Sequence, residues 1–150
     1  MKLAEALQLR SDLMHRLQQL DDRLSDSAKV QEGLEPPENP EELLQEQDQC
    51  YAELESLIAR INLTNSRTRV EGKTLTELLA RRDILAKRIE SLRSVCSAAL
   101  DLSMRQTRTE IRWIATVDVR GLRKQIDQMS AELRTLDTAI QSANWRIELK

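Results

Sequence analysis

The hydrophobic positions of this chain recur three and four residues apart over four long stretches. The last stretch, from Val119 to Ala143, is the most regular, because no polar residue interrupts its apolar positions. These positions are Val119, Leu122, Ile126, Met129, Leu133, Leu136, Ile140 and Ala143. The spacing places them on one stripe of an α-helix, and such a helix needs a partner surface that covers the stripe.

The three earlier stretches repeat this pattern. We predict helices over about residues 3–28, 40–65, 75–102 and 119–143. The apolar face of the first contains Leu3, Ala6, Leu13, Leu17, Leu20 and Leu24. The face of the third contains Leu75, Leu78, Leu85, Ile89, Leu92, Cys96 and Ala99. For the second helix, the pattern predicts a buried face of Leu44, Tyr51, Leu54, Ile58 and Ile61.

Residues that begin and end helices lie between these stretches. Asn39, Thr74 and Asp118 are predicted to cap the amino termini of the second, third and fourth helices, and Glu77 completes a capping box with Thr74. Gly72 suits a left-handed turn between the second and third helices. Residues 104–117 contain Thr, Ile and Val without a helical stripe, which predicts an extended or hairpin-like connector before the last helix.

Matched helix lengths and short connections favour an all-α fold, an antiparallel four-helix bundle in a single domain over residues 1–150. The alternative is an open arrangement whose long hairpins pair with another subunit. Charged residues make up 32% of the chain and aromatic residues 2%, which is typical of long helices packed by Leu, Ile and Ala.

Charge is unevenly distributed along the chain. Residues 30–55 contain no Lys or Arg, whereas residues 60–124 are predominantly basic. We interpret this separation as attraction between acidic and basic helices, either within one bundle or between subunits. The formal net charge of −2 disfavours general nucleic-acid binding.

The composition argues against several classes of protein. Glu5 interrupts any apolar signal sequence, and no uncharged run approaches the roughly 20 residues of a membrane span. His15 is the single histidine, and three glycines supply no phosphate-binding loop. We therefore predict no catalytic residues, no metal and no cofactor. Cys50 and Cys96 are expected to be buried thiols in a reducing cytoplasm.

Two arginines occupy apolar faces. Arg10 interrupts the first helix and Arg82 the third, and a guanidinium in a core must find acceptors. Acceptors of the right kind are Asn62, Asn65 and Asp83. We predict a buried polar network that fixes helix register or a subunit interface; the alternative is a pocket in which both arginines clamp a carboxylate or phosphate.

The connector supplies a second set of candidates: Arg105, Arg108, Arg112 and Trp113. Arginines beside an aromatic residue are typical of an arm between subunits. They are also typical of a contact with single-stranded nucleic acid. The acidic residues Glu110 and Asp118 dilute the positive charge, which favours the interface.

Short motifs are spread over almost the whole chain: 1–7, 30–33, 60–65, 74–77, 81–83, 116–119 and 144–145. Together they resemble a family of small bacterial all-helical proteins of unknown function, some of which carry the label septicolysin. That label implies a lytic toxin. No residue of the chain forms the apolar segment that a pore former inserts into a membrane, and the resemblance implies no catalytic residue.

The sequence thus predicts a non-enzymatic helical assembly or partner-binding protein, a cytoplasmic homo-oligomer. One alternative is a protein that binds a small anion or nucleic acid through the seam or connector arginines. A small enzyme that uses the Arg10 and Arg82 pocket and a septicolysin-type lytic toxin are the remaining alternatives.

Overall fold

The computed structural model describes residues 1–101 and 111–150, and its main elements are four long helices. These are α1 (Leu3–Ser27), α2 (Pro40–Arg67), α3 (Leu75–Leu100) and α4 (Val119–Arg146). A small hairpin of β1 (Arg69–Val70) and β2 (Lys73–Thr74) separates α2 from α3. The predicted helix ends agree with the observed ends to within three residues, whereas the two short strands were not predicted.

The predicted caps are present at three helix starts. The side chain of Asn39 accepts a hydrogen bond from the backbone N–H of Glu41 at 3.0 Å. Thr74 and Glu77 form the reciprocal capping box, since the Glu77 carboxylate accepts from Thr74 N at 2.6 Å and Thr74 Oγ1 accepts from Glu77 N at 3.2 Å. Asp118 accepts from the backbone N–H of Gly121 at 3.0 Å. Each cap satisfies an otherwise unpaired amide and stabilises its helix by about 1 kcal/mol.

The hairpin between α2 and α3 turns at Glu71 and Gly72. Both residues have positive φ, 51° and 85°, as in type I′ turns, so the prediction of a left-handed Gly72 is confirmed. The strands pair antiparallel with Arg69 opposite Thr74. This tight reversal places the start of α3 beside the end of α2.

The four helices pack antiparallel in two pairs. Packing is extensive between α1 and α2 and between α3 and α4, and it is limited between the pairs. The core of the first pair also includes Leu75 and Leu78 from the start of α3 and Ile140 and Ala143 from the end of α4. The all-α bundle is therefore confirmed, with one core common to all four helices only at the end where α3 begins. Farther along, each pair has its own interior.

The predicted apolar faces of α1, α3 and α4 are the faces that pack, whereas the predicted face of α2 is right only for Leu54 and Ile61. Leu43, Cys50 and Leu57 are buried, whereas Tyr51 and Ile58, one residue later in sequence, are exposed. Polar contacts with α1 accompany this orientation. Arg16 pairs with Glu46 at 2.8 Å, and Gln47 donates to Asp21 at 2.6 Å. Both polar side chains of α2 therefore lie on the side that faces α1.

The helix α4 ends at Arg146, and the chain after it runs along the start of α1. Leu3 N donates to Ile147 O, and Leu149 N donates to Met1 O, both at 2.9 Å. Thr64, fully buried in α2, accepts a hydrogen bond from Lys150 N at 3.0 Å. These contacts tie the carboxyl-terminal tail to both α1 and α2.

The connector and the two cysteines can also be compared with their predictions from sequence. Residues 111–117 contain neither helix nor strand, in agreement with the prediction, and the part of the connector from 104 to 110 lies outside the described residues. Cys50 and Cys96 are free thiols and both are buried, which confirms their predicted placement.

Candidate assembly surfaces

The seam arginines do not form a buried network. Arg82 binds the side chain of the next residue, Asp83, at 2.9 Å, and the two side chains are 36% and 60% exposed. Arg10 is half-buried and has no hydrogen bond or ion pair within residues 1–101 and 111–150. Asn62 is exposed and Asn65 is half-buried. Within one chain the predicted buried network is therefore absent from the described residues, because a long arginine side chain can extend its guanidinium group from an apolar stem towards water. The alternative placement of these residues at a subunit interface stays a prediction.

The connector candidates are only partly described. Arg105 and Arg108 lie outside the described residues. Arg112 and Trp113 are exposed. Trp113 lines a cleft of about 440 Å³ together with Val95 and Ala98 near the end of α3. Trp113 thus lies near the end of α3, and its role as an interface residue stays a prediction.

The described residues include no cluster of three or more His, Cys, Asp or Glu side chains that could hold a metal ion. His15 is exposed on α1. None of the helices in the described ranges combines the length with the apolar character that crossing a lipid bilayer requires. The surfaces that stand out are apolar.

The first of these surfaces is a row on α2, which we name the α2 stripe. Its residues are Leu44, Tyr51 and Ile58, which are 48%, 49% and 38% exposed. They are spaced seven residues apart, two helical turns, so they lie on one face. Asp48 and Glu55 follow Leu44 and Tyr51 by one turn on the same face and give it a negative charge.

The sequence analysis missed the α2 stripe because it assigned these residues to the core. The sequence does contain a signal for it. α2 has two apolar rows with the same seven-residue spacing, Leu43, Cys50 and Leu57 beside Leu44, Tyr51 and Ile58. Only one of the two rows can face α1.

The second surface belongs to the pair α3 and α4. Among the described residues, the cluster that the two helices share has three buried members, Ile89, Cys96 and Ile126, and Leu85 is buried on α3 outside it. Five further apolar residues pack against that cluster and remain half-buried: Leu92, Val119, Leu122, Met129 and Leu133. Within residues 1–101 and 111–150, these side chains are thus only partly covered.

A groove of about 320 Å³ lies between these helices, and we name it the α3–α4 groove. Its lining consists of Ala86, Ile89, Glu90, Arg93, Ser130, Leu133 and Arg134. The hydroxyl of Ser130 is buried and has no hydrogen-bond partner among the described residues. The sequence analysis named Ile89 and Leu133 as apolar-face residues but did not predict the groove, since it arises from the pairing of two helices and no local motif marks it.

The two pairs of helices carry opposite charge. α1 and α2 contain eleven acidic and five basic residues, a formal net charge of −6. α3 and α4 contain ten basic and six acidic residues, a formal net charge of +4. Each chain therefore presents an acidic apolar surface and a basic apolar surface.

Comparison with known proteins identifies a family. The profile of a "family of unknown function (DUF6847)" matches residues 10–149. The crystal structure of a functionally unknown conserved protein from Corynebacterium diphtheriae is similar, with a TM-score of 0.93 and 41% sequence identity over 100% of this chain and 99% of that chain. No curated protein sequence matches. The resemblance to a family of unknown function is confirmed, and neither description contains the label septicolysin.

Proposed function

The chain belongs to the DUF6847 family of unknown function, and we propose that it is a non-enzymatic helical assembly protein of the cytoplasm that binds a second copy of itself. The observation that carries this proposal is the incomplete interior of α3 and α4. Leu92, Leu122, Met129 and Leu133 are only half-buried there. A packed interior needs cover on every side, and a second copy supplies helices of the right length.

The free energy gained from burying these side chains limits how the second copy can bind. Completing the burial of the five half-buried apolar side chains contributes roughly 1–5 kcal/mol, because each is already more than half covered. Loss of translational and rotational freedom opposes association by about 4–15 kcal/mol. A single contact of this kind is therefore at best close to balance. Stable self-association requires a second contact in the same pair of molecules.

The chemistry of the two surfaces supports a binding role. The α2 stripe offers aliphatic and aromatic side chains with carboxylates beside them, and the α3–α4 groove offers apolar side chains with Arg93 and Arg134 beside them. Such groups bind a helix by burial and charge. The buried free thiols of Cys50 and Cys96 suit the reducing conditions of a cytoplasm.

Native mass spectrometry of the untagged protein over a dilution series tests the proposal. We expect species at an integral multiple of the chain mass of 17.3 kDa, which dissociate on dilution. In the variant Met129→Glu, a charge on the half-buried face should shift the population to monomer. The matched control is the exposed neighbour, Gln128→Glu, which should assemble as the wild type does.

Circular dichroism of both variants separates loss of assembly from loss of fold. A wild-type protein that stays monomeric up to its solubility limit would overturn the proposal. Equal assembly of Met129→Glu and wild type would show that the α3–α4 face is not the contact.

A further inference from the structure

We propose that the α2 stripe of one copy occupies the α3–α4 groove of a second copy, and that the contact is reciprocal. This inference rests on the proposed self-association and adds which surface meets which. Each chain has both surfaces, so a two-fold pair uses each of them once per chain. The second contact that association requires is then the same contact repeated by symmetry.

The α2 stripe is a ridge of projecting side chains, and the α3–α4 groove is concave. A helix row with side chains at every second turn is the ligand that a groove between two helices accepts. Tyr51 and Ile58 project from α2 with 49% and 38% of their surface exposed. The groove of about 320 Å³ has apolar walls of Ile89 and Leu133, and the small side chain of Ala86 leaves room beside them.

Charge selects this pairing over the alternatives. Asp48 and Glu55 accompany the stripe, while Arg93 and Arg134 line the groove and outnumber its one carboxylate, Glu90. Pairing of two α2 stripes would oppose carboxylates to carboxylates. Pairing of two grooves would oppose arginines to arginines. Only the mixed pairing brings opposite charges together, and like-charge contacts are the repulsive element that excludes the others.

The area of the contact is that of a weak, reversible pair. From Leu44 to Ile58 the stripe extends about 21 Å at 1.5 Å per residue, and a helix is roughly 10–12 Å wide. One such contact covers about 450 Å² when both partners are counted. Two reciprocal contacts cover about 900 Å², which is the size of transient protein interfaces.

Photo-crosslinking tests the pairing directly. We place p-benzoylphenylalanine at the position of Tyr51 in the full chain, mix ¹⁵N-labelled with unlabelled protein, and irradiate. Mixed-isotope adducts identify contacts between copies, and peptide mapping locates them. We expect adducts on peptides of α3 or α4 in a species of twice 17.3 kDa. The same probe at Ser56, an exposed position on another face of α2, should give no such adduct.

Adducts confined to α2 would overturn the inference and indicate pairing of two stripes. A dimer in native mass spectrometry that gives no adduct from position 51 would overturn it too, while the proposed self-association stood. A monomer at every concentration would overturn both, so the two failures are distinguishable.

Charge reversal gives an independent test of the proposed contact. Glu55→Lys and Arg134→Glu should each raise the dissociation constant of the dimer about tenfold or more, because each places like charges opposite each other. The double variant restores opposite charges and should bind nearly as tightly as the wild type. The control Lys124→Glu, a charge reversal on an exposed residue outside the groove, should leave the dissociation constant unchanged. A double variant weaker than both single variants would contradict the pairing.

Discussion

Replacement of Leu57 with alanine should destabilise the protein far more than replacement of its neighbour, Ile58. Leu57 is 4% exposed and belongs to the core that α2 shares with α1. Its truncation removes three carbons at about 0.8 kcal/mol each and leaves a cavity. The expected loss in the free energy of unfolding is about 3–4 kcal/mol.

Ile58 should behave differently, although it is chemically similar and adjacent. It is 38% exposed, so part of the side chain is already in water and its truncation opens no enclosed cavity. Alanine also has the higher helix propensity. We expect a loss of about 1 kcal/mol, which leaves a gap of about 2 kcal/mol between the two variants.

Urea unfolding followed by circular dichroism measures this gap. With a denaturant slope of about 2 kcal/mol per molar, the two midpoints should differ by about 1 M. Because Ile58 also lies on the proposed dimer contact, the comparison is made in dilute protein, where the midpoint no longer depends on concentration. If Ile58→Ala is as destabilising as Leu57→Ala there, the α2 stripe is part of the core and the proposed docking surface does not exist.

Three further predictions concern the polar contacts. Thr64→Val keeps the shape of a fully buried side chain and removes the hydroxyl that accepts a hydrogen bond from Lys150 N. The free energy of unfolding should fall by about 1 kcal/mol, and the Lys150 amide should lose protection from hydrogen exchange. The control Thr138→Val loses an exposed hydroxyl and should change stability by less than about 0.5 kcal/mol. Arg82→Met should leave the urea midpoint nearly unchanged, since the ion pair with Asp83 is exposed. A large loss of stability would instead support a buried polar network around Arg82. The hydrogen bond from the backbone N–H of Thr74 lowers the pKa of Glu77, so this carboxylate stabilises the fold above its unfolded-state pKa. It loses that contribution as pH falls through the lower folded-state pKa, so the difference in stability between wild type and Glu77→Gln should shrink from pH 7 towards pH 3. A difference that is constant with pH would contradict the assignment.

Helix ends were predictable because the interactions that set them are local. Asn39 and Thr74 each bond within three residues of their own position, so the sequence contains both partners of each contact. The faces of α1, α3 and α4 were also predicted correctly. In each of these helices the three-and-four spacing of apolar residues continues over most of the helix, although α1 and α3 contain further apolar residues beside it.

The orientation of α2 was not predictable from its own sequence. Two adjacent rows have the same spacing, and bulkier side chains make the row of Tyr51 and Ile58 the more conspicuous one. The contacts that accompany the other orientation join residues far apart in sequence, such as Gln47 to Asp21 and Arg16 to Glu46. Such contacts appear only once the partner helix is in place.

The exposed arginines illustrate the same limit. A position on an apolar row predicts that the first carbons of a side chain are covered, but it does not predict where a long side chain ends. Arg82 reaches Asp83 at the surface, so the helical pattern was right about the backbone and wrong about the guanidinium.

The second row of α2 is better explained by a helical partner than by a small ligand. A small molecule needs a concave site that encloses most of its surface, whereas Leu44, Tyr51 and Ile58 form a ridge two turns apart over several turns of one helix. A ridge of that length fits a surface that other helices form, and its carboxylates favour a basic surface. The chain itself contains such a surface in α3 and α4, where half-buried Leu133 lies beside Arg134 and Arg93. The two apolar surfaces that the described part of the chain leaves exposed are a ridge with carboxylates and a groove with arginines, and this difference in charge favours the proposed contact between two copies.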